Sequence, residues 1–334
     1  MAGEMIGVTG GTGFVGRRLI AHLAKEGAVR VMALDTPQDL VSHAEFVIGD
    51  LACEETVNGF ARGCGSIIHL AGIAHSSLRT KAAKERAYSV NVEGTRVVVR
   101  AALRHGVRRL LFVSTAHVYA GHSGVNIDEA APTGATTFYG GTKLQGEEAV
   151  REAGKSGLEV VIVRPCLIYG PGARFNLHRM MAGIDRGYYF HISGCNPMRS
   201  FLSLENMVRA LRHLTHCSFS AGIYNLADES PYSLVAFANE LADRMKRPRP
   251  RTIPSALISA AGMIGSTLQK LGISLPISNE AVAKLTSHFT ISTRRLAGAG
   301  FDWECGGGAL RQEMVDQYLD SQHSNCRQAR RTVK

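Results

Sequence analysis

Apolar residues in the first two-thirds of the chain form short, nearly continuous runs that alternate with segments of helical periodicity. The runs predict strands at Met5–Thr9, Val29–Leu34, Glu45–Ile48, Ser66–Leu70, Leu110–Ser114 and Val160–Arg164. The intervening segments predict helices at Phe14–Lys25, Thr56–Ala61, Lys81–His105 and Tyr139–Ala153. Strands without polar alternation are typical of a parallel sheet that is buried on both faces. The order therefore predicts an α/β protein with a doubly wound parallel sheet.

Beyond residue 172 the alternation becomes irregular, and the loops are rich in Gly, Pro and Asn. We therefore expect a first domain over residues 1–172, whose sheet is completed by residues 222–226. Residues 173–321 are expected to form mainly a smaller C-terminal α/β lobe that binds the substrate. Residues 322–334 carry arginine and lysine without any acid, and we expect a basic disordered tail.

Composition narrows the class of protein. The 334 residues are 45% hydrophobic and 20% charged, which excludes a disordered chain. The formal net charge of +10 favours anionic partners such as nucleic acid, acidic lipid or phosphorylated small molecules. Seven cysteines without a CxxC pair predict neither a disulfide framework nor a metal site, and from the residues before the first predicted strand we expect no signal peptide. These features favour a cytoplasmic protein.

A glycine-rich loop follows the first predicted strand and opens the first predicted helix. Its sequence from residue 8 is VTGGTGFVG, which contains Gly10, Gly13 and Gly16 at the GxxGxxG spacing. Glycine adopts the required backbone angles and lets a pyrophosphate approach the main chain. The helix N-terminus, at Phe14 and Val15, offers free N–H groups and a positive dipole end. The loop therefore predicts dinucleotide binding in a Rossmann-type fold.

Asp35 ends the second predicted strand. A carboxylate at this position accepts hydrogen bonds from ribose hydroxyls and repels a 2′-phosphate, so the sequence favours NAD over NADP.

A YxxxK motif, Tyr139 to Lys143, lies at the start of a predicted helix. Residues at i and i+4 share a helix face, and a nearby ammonium stabilises a tyrosinate. This pair predicts a tyrosine that acts as acid or base and a lysine that also holds the nicotinamide ribose. Thr115 follows the fifth strand at its carboxyl end, where ligands bind in open α/β sheets, and could hydrogen-bond the substrate oxygen.

Taken together, the motifs resemble those of an extended short-chain dehydrogenase/reductase of the NAD-dependent epimerase/dehydratase type. They occur in that family's order over roughly residues 5–230 and are TGGTGFVG, GDL (49–51), HLAG (69–72), NVEGT (91–95), VST with VY (113–119), the Tyr139/Lys143 pair and RPCLIYGPG (164–172). Thr115 stands where serine is commoner, and Ala120 stands where glycine is usual.

The resemblance implies a role for each matching residue. Thr115, Tyr139 and Lys143 take the catalytic positions. The matching cofactor-binding residues, beyond the glycine loop, Asp35 and Lys143, are Asp50, Leu51, Leu70, Ala71, Gly72 and Pro165. Asp50 and Leu51 match positions that touch the adenine, and Pro165 matches the strand end beside the nicotinamide. The family also commonly dimerises through the two helices expected at Lys81–His105 and Tyr139–Ala153.

Segments after residue 170 resemble the nucleotide-sugar branch of the family, which includes enzymes of surface polysaccharide synthesis. In that branch an asparagine and an arginine hold the diphosphate, and Asn176 and Arg199 occupy such positions. A helix N-cap and a solvated surface charge are the alternative interpretations. His75 and Lys284 are further candidates for contacts with the sugar and the nucleotide.

The resemblance implies oxidation or reduction at C4 of a UDP-hexose or UDP-N-acetylhexosamine, by a 4-epimerase or a 4-ketoreductase with Tyr139 as acid/base. A dehydratase, the choice of sugar and the choice of nucleotide stay open. One alternative is a 3β-hydroxysteroid-type dehydrogenase. Another is a non-catalytic relative that senses NAD or binds RNA, although nucleic acid is not favoured.

A basic run, Arg244–Arg251, precedes a weakly polar stretch, Ala256–Leu275. A membrane-surface patch is one interpretation. The favoured interpretation is a solvated loop before a helix that packs on the second lobe.

Overall fold

The computed structural model of the protein describes residues 4–35, 44–74, 78, 80–121, 123–173, 176–216, 221–270, 279–304 and 307–331. Among the helices in these ranges, none combines the length and the apolar character needed to cross a bilayer.

A seven-stranded parallel sheet forms the centre of the molecule, in the order β3-β2-β1-β4-β5-β7-β12. Its strands are β1 (Met5–Thr9), β2 (Val29–Ala33), β3 (Ala44–Ile48), β4 (Cys64–His69), β5 (Arg109–Val113), β7 (Glu159–Pro165) and β12 (Gly222–Leu226). The predicted doubly wound parallel sheet is therefore confirmed. The strand order reverses between β1 and β4, and in such sheets ligands bind in the crevice at this reversal.

Helices cover both faces of this sheet. Those of the first half of the chain are α1 (Phe14–Leu23), α2 (Glu54–Ala61), α3 (Lys81–Tyr88), α4 (Thr95–Arg104) and α5 (Phe138–Gly154). A π-helical turn, Ser89–Gly94, joins α3 to α4 where the sequence predicts one continuous helix. The Thr95 hydroxyl donates to the Asn91 carbonyl oxygen at 2.7 Å, and this side-chain bond lies at the end of the wider turn.

The second lobe contains a four-stranded sheet in the order β13-β10-β15-β6 and two strand pairs, β11-β8 and β14-β9. Its strands are β6 (Gly124–Ile127), β8 (Leu167–Tyr169), β9 (Phe190–Ile192), β10 (Met198–Arg199), β11 (Phe201–Ser203), β13 (Tyr232–Ser233), β14 (Arg251–Ile253) and β15 (Phe289–Ile291). The remaining helices are α6 (Asn176–Asp185), α7 (Leu204–His216), α8 (Leu234–Arg244), α9 (Ser255–Lys270), α10 (Asn279–Thr286), α11 (Arg294–Gly298) and α12 (Gly308–Arg331).

The packing of the two lobes does not follow chain order. Strand β6, from the first half of the chain, lies in the sheet of the second lobe beside β15. Conversely, α7, α11 and the segment after α11 bury Leu211, Leu296 and Phe301, respectively, in the apolar core of the central sheet. The last helix continues to Arg331, where the sequence analysis expects a disordered tail from residue 322.

The basic run Arg244–Arg251 is largely ion-paired. Arg244, Arg247 and Arg249 lie within 2.8 Å of carboxylate oxygens of Glu240, Asp185 and Asp243, respectively. These pairs reduce the positive charge that the run offers to an anionic surface, which supports the interpretation as a solvated loop.

An aromatic cluster forms the core of the second lobe. The Phe237 ring is 1% exposed, and its centroid lies 4.5 Å from that of Phe201, 5.8 Å from Tyr232 and 6.0 Å from Tyr169. These rings come from strands β8, β11 and β13 and helix α8, so one side chain joins four elements.

We expect Phe237→Ala to lower the free energy of unfolding by about 3–5 kcal/mol, because it removes buried apolar surface and leaves a cavity. Urea denaturation followed by circular dichroism measures the change. Leu257→Ala is the control, since Leu257 is 62% exposed on α9 and its loss should change stability by less than about 0.5 kcal/mol. Equal effects of the two substitutions would contradict this packing.

Candidate active site

The glycine loop lies at the reversal of strand order, between the ends of β1 and β4. Gly10 has φ +70°, and a Cβ there would lie 2.6 Å from the Ala71 nitrogen. A Cβ at Gly16 would lie 2.6 Å from the Gly11 Cα and still closer to the Gly10 carbonyl oxygen. Gly13 is the N-cap of α1, which has no side-chain cap and no acid in its first turn. The loop is therefore a close-packed cradle beneath an uncapped helix N-terminus, which suits a pyrophosphate.

The residues that are predicted to bind the adenosine part of the cofactor lie just beyond the ends of β2 and β3. Asp35 is exposed just beyond β2, on one side of the glycine loop. Asp50 follows β3, accepts a hydrogen bond from the Ala52 nitrogen at 3.0 Å and pairs with Arg86 at 2.7 Å. These contacts hold the pKa of Asp50 below its usual value. Leu51 is buried and would touch a Cβ at Gly94, so the π-helical turn packs directly against it.

A buried chain of hydrogen bonds connects the glycine loop to the π-helical turn. The Thr95 hydroxyl donates to the Asn91 carbonyl, so it accepts from Nε2 of His69 at 3.0 Å. Nδ1 of His69 then accepts from the Thr9 hydroxyl at 2.6 Å, and the Thr9 oxygen accepts from the Ala71 nitrogen at 3.3 Å. Burial lowers the pKa of His69 to about 3, so the imidazole is neutral and only one tautomer satisfies the chain.

The three predicted catalytic residues lie on two elements that pack together. Thr115 follows β5 and is 6% exposed, and its Oγ1 accepts from the His117 nitrogen at 3.2 Å as the cap of a 3-10 turn, Ala116–Val118. Helix α5 packs against this turn, and a Cβ at Gly140 would lie 2.6 Å from the His117 carbonyl oxygen. Tyr139 lies beside Gly140 in the first turn of α5, and burial raises its pKa to about 12.

Lys143 lies one turn further along α5 and is 2% exposed. Its Nζ is 4.2 Å from the centroid of the Phe112 ring, and a Cβ at Gly72 would lie 3.6 Å from the same nitrogen. Burial lowers the pKa of Lys143 to about 7, whereas the nearby Glu147 carboxylate raises it. The lysine therefore lies between β5 and the loop after β4, at Gly72. A pKa near 7 means that its charge changes near neutral pH.

Other predicted residues occupy scattered positions. Leu70 donates its backbone N–H to the Thr9 carbonyl at 3.2 Å, and Pro165 is the last residue of β7. Asn176 begins α6 and is exposed, while Arg199 is half-buried in β10. His75 lies outside the described residues. The backbone of Lys284 lies in α10, but its side chain is outside the described part of the chain.

The sequence analysis misses Asn91 as a site residue, although it quotes the motif that contains it. The Asn91 side chain accepts from the Ile73 nitrogen at 2.8 Å and donates to the Thr142 hydroxyl at 3.0 Å, so it joins the loop after β4 to α5. The sequence analysis also misses Glu147. The spacing of four residues from Tyr139 to Lys143 and from Lys143 to Glu147 places the three on one helix face, which is the signal that could have found it.

This arrangement defines a dinucleotide-dependent enzyme with a Rossmann fold. Residues 6–227, more than half of the chain, match the model of the NAD dependent epimerase/dehydratase family. The chain belongs to this family, and it is an NAD-dependent oxidoreductase or epimerase. The crowded Gly10 and Gly16 positions and the uncapped α1 N-terminus fit the pyrophosphate of such a cofactor.

Relatives with different substrates are similarly close to this chain. A 3-beta-hydroxysteroid dehydrogenase of Mycolicibacterium neoaurum is 28% identical, and the alignment covers 86% of this chain and 84% of that protein. An N-acetyl-alpha-D-glucosaminyl-diphospho-ditrans,octacis-undecaprenol 4-epimerase of Escherichia coli O157:H7 is 26% identical, and the alignment covers 87% of this chain and 88% of that protein. The structure of a UDP-glucose 4-epimerase of Thermotoga maritima with UDP-glucose has a TM-score of 0.75 at 17% identity, over 95% of this chain and 99% of that one. This structural likeness shows the fold.

We expect Gly16→Ala to weaken NADH binding by at least about tenfold, because the new methyl group displaces the Gly10–Gly11 backbone that receives the pyrophosphate. Quenching of protein fluorescence during NADH titration gives the affinity.

The control for this substitution is Gly59→Ala. Gly59 lies on the exposed side of α2, and a Cβ there would meet nothing within 4 Å. This variant should bind NADH as the wild type does and gain about 0.5–1 kcal/mol of stability from the helix propensity of alanine. Unchanged NADH affinity in Gly16→Ala would show that the loop does not hold the cofactor.

Proposed function

We propose that the protein oxidises or reduces C4 of a nucleotide sugar, a UDP-hexose or UDP-N-acetylhexosamine, as a 4-epimerase or 4-ketoreductase. The observation that carries this proposal is the half-buried guanidinium of Arg199 in the second lobe. Burial lowers the pKa of Arg199, against the opposing influence of Cys195 and Tyr189. A cation held partly out of water favours a ligand with concentrated negative charge, and the arginine fork matches phosphate oxygens.

The strand connections support a ligand that reaches from the Rossmann domain to Arg199. Strand β11 starts two residues after Arg199, and its Phe201 pairs with Leu167 of β8. Leu167 in turn lies two residues beyond Pro165, at the carboxyl end of β7. The names of the Escherichia coli relative and of the Thermotoga maritima neighbour both describe a sugar attached to a diphosphate.

The chemistry assigned to the chain is proton transfer at one sugar hydroxyl. Tyr139 removes the proton when the hydroxyl is oxidised and returns it when the ketone is reduced. The Lys143 ammonium stabilises the tyrosinate from one helical turn away, and Thr115 holds the substrate oxygen by a hydrogen bond. Bound NAD supplies the acceptor or donor of hydride. The exposed carboxylate of Asp35 beyond β2 favours NAD over NADP.

The same side chains serve a 4-epimerase and a 4-ketoreductase, which differ in how they use the cofactor. An epimerase regenerates its NAD within each turnover, whereas a reductase must exchange it. Chromatography of the nicotinamide cofactor released from denatured protein separates the two. Near-stoichiometric NAD indicates an epimerase, and an empty site that binds added NADH indicates a reductase.

A second candidate function is that of a 3β-hydroxysteroid-type dehydrogenase. The relative from Mycolicibacterium neoaurum, at 28% identity, favours it. Turnover of a 3β-hydroxysteroid, with none of UDP-glucose or UDP-N-acetylglucosamine, would select this alternative.

We also propose a cytoplasmic homodimer that associates through the helical segments Lys81–His105, formed by α3 and α4, and Tyr139–Ala153, which lies in α5. In the described part of the chain Cys53, Cys64, Cys166 and Cys195 are free thiols, which suits the proposed reducing compartment. Leu103 on α4 and Phe138 on α5 are 39% and 40% exposed, which leaves apolar surface for a second copy to cover.

We expect Tyr139→Phe to reduce turnover of UDP-glucose or UDP-N-acetylglucosamine by about 10²–10⁴-fold, because the ring keeps its packing but loses the proton that it transfers. Coupled assays that report product formation measure the loss, and NADH affinity should not change. Tyr188→Phe is the control, since Tyr188 is 57% exposed and carries no proposed role. A Tyr139→Phe enzyme with wild-type turnover would exclude this mechanism.

We expect Arg199→Met to raise KM for the nucleotide sugar by about 10–100-fold, with a smaller effect on kcat, because a charge-assisted contact to the diphosphate is lost. Steady-state kinetics separate the two parameters. Arg251→Met, at an exposed position in β14, serves as the matched control. An unchanged KM in Arg199→Met would refute the assignment of Arg199 to the diphosphate.

A further inference from the structure

A buried carboxylate lies behind the proposed catalytic residues. Glu147 is 0% exposed on α5, two turns after Tyr139 and one turn after Lys143. Its Oε1 accepts hydrogen bonds from the Ser114 hydroxyl at 2.5 Å and from Nε of Arg164 at 2.9 Å. Its Oε2 accepts from Nη2 of Arg164 at 2.7 Å. The two-point contact with a 1% exposed arginine fixes the orientation of the carboxylate.

These two partners lie directly beside proposed site residues at the ends of two strands. Ser114 precedes Thr115 at the end of β5, and Arg164 precedes Pro165 at the end of β7. The Arg164 guanidinium also stacks on the Tyr119 ring, 4.9 Å from its centroid, just after the 3-10 turn that Thr115 caps. One carboxylate therefore holds the ends of β5 and β7 against the helix that carries Tyr139 and Lys143.

We propose that Glu147 is a positioning residue: it fixes Ser114, and thereby Thr115, against α5, and its negative charge stabilises the Lys143 ammonium. This inference rests on the proposed function for the roles of Thr115 and Lys143. The geometry of the Ser114–Glu147–Arg164 cluster does not depend on it.

Among the residues that the structure describes, few other charges face these two groups. Around Lys143, the titratable groups are Glu147 and Tyr139 on α5 and His69 on β4, and the imidazole is neutral. Around Glu147, they are Lys143 and Arg151 on α5 and Arg164 on β7. Arg151 is 41% exposed and 3.5 Å away, so water screens it. Glu147 is thus the carboxylate that opposes the effect of burial on the pKa of Lys143.

The charge of Lys143 can be measured without a substrate. NAD⁺ has a positive nicotinamide ring and NADH a neutral one, so a neighbouring ammonium weakens NAD⁺ binding relative to NADH. The pKa of the free protein cancels from the ratio Kd(NAD⁺)/Kd(NADH), which should therefore fall as pH rises through the pKa values of Lys143 in the two complexes. Lys143→Met should abolish this pH dependence.

The test measures this ratio between pH 5 and 9 by fluorescence titration of the whole protein. In Glu147→Gln the lost negative charge lowers the pKa of Lys143, so we expect the midpoint of the ratio to move to lower pH by about one unit. If this variant does not fold, the paired change Glu147→Met with Arg164→Met removes both buried charges and leaves neither unpaired. It should shift the midpoint in the same direction.

A matched control exists at the other end of the same two strands. Arg109, 2% exposed, begins β5, and its Nε donates to Glu159, the first residue of β7, at 2.9 Å. Glu159→Gln breaks an arginine–carboxylate pair between the same strands, far from Thr115. It should lower the urea midpoint and leave the pH midpoint of the ratio unchanged, which separates positioning from a general loss of stability.

The outcomes distinguish the two proposals. A Lys143-dependent midpoint in the wild type that stays in place in Glu147→Gln overturns the role of Glu147 and leaves the proposed function intact. A ratio that shows no Lys143-dependent change with pH overturns both, because Lys143 is then not beside the nicotinamide. An equal shift in Glu159→Gln assigns the effect to stability alone and also overturns the role of Glu147.

Discussion

The reversal of strand order between β1 and β4 is the constraint on which the rest of the site depends. These two strands are parallel neighbours, and the segments that follow them lead to helices on opposite faces of the sheet, α1 and α4, so a crevice is left between the segments. Gly10 and Ala71 close the bottom of that crevice at a distance that leaves no room for a side chain. The uncapped end of α1 points into it, and the hydrogen-bonded chain through His69 fixes the loop to the π-helical turn behind.

The buried titratable groups of the site differ in whether their charge changes near neutral pH. His69 remains neutral because its burial is complete and its two partners suit one tautomer. The Glu147 carboxylate is held by the Arg164 guanidinium and the Ser114 hydroxyl, and its negative charge opposes the effect of burial on the pKa of Lys143. Lys143 remains the buried group whose pKa lies near 7. A small change in its surroundings is therefore enough to change its charge.

We propose that substrate choice lies in the second lobe. A steroid dehydrogenase and a sugar epimerase are 28% and 26% identical to the chain, so overall similarity does not discriminate between their substrates. The lobe is assembled from distant parts of the chain, since β6 joins β15 in one sheet and α12 packs on α6 and α8. In our proposal, a half-buried arginine within it, Arg199, favours a diphosphate over a sterol.

The sequence alone determined the central sheet, the glycine loop and the spacing of Tyr139 and Lys143, because each depends on neighbours within a few residues. Apolar runs predict β1, β2 and β5 to within one residue at either end, and turn chemistry explains Gly10. Only the tertiary structure decided that Glu147 contacts Ser114 and Arg164, that Asn91 joins the loop after β4 to α5, and that β6 belongs to the second lobe. Local periodicity carries no information about such contacts, since they form between segments brought together by the packing of the whole chain.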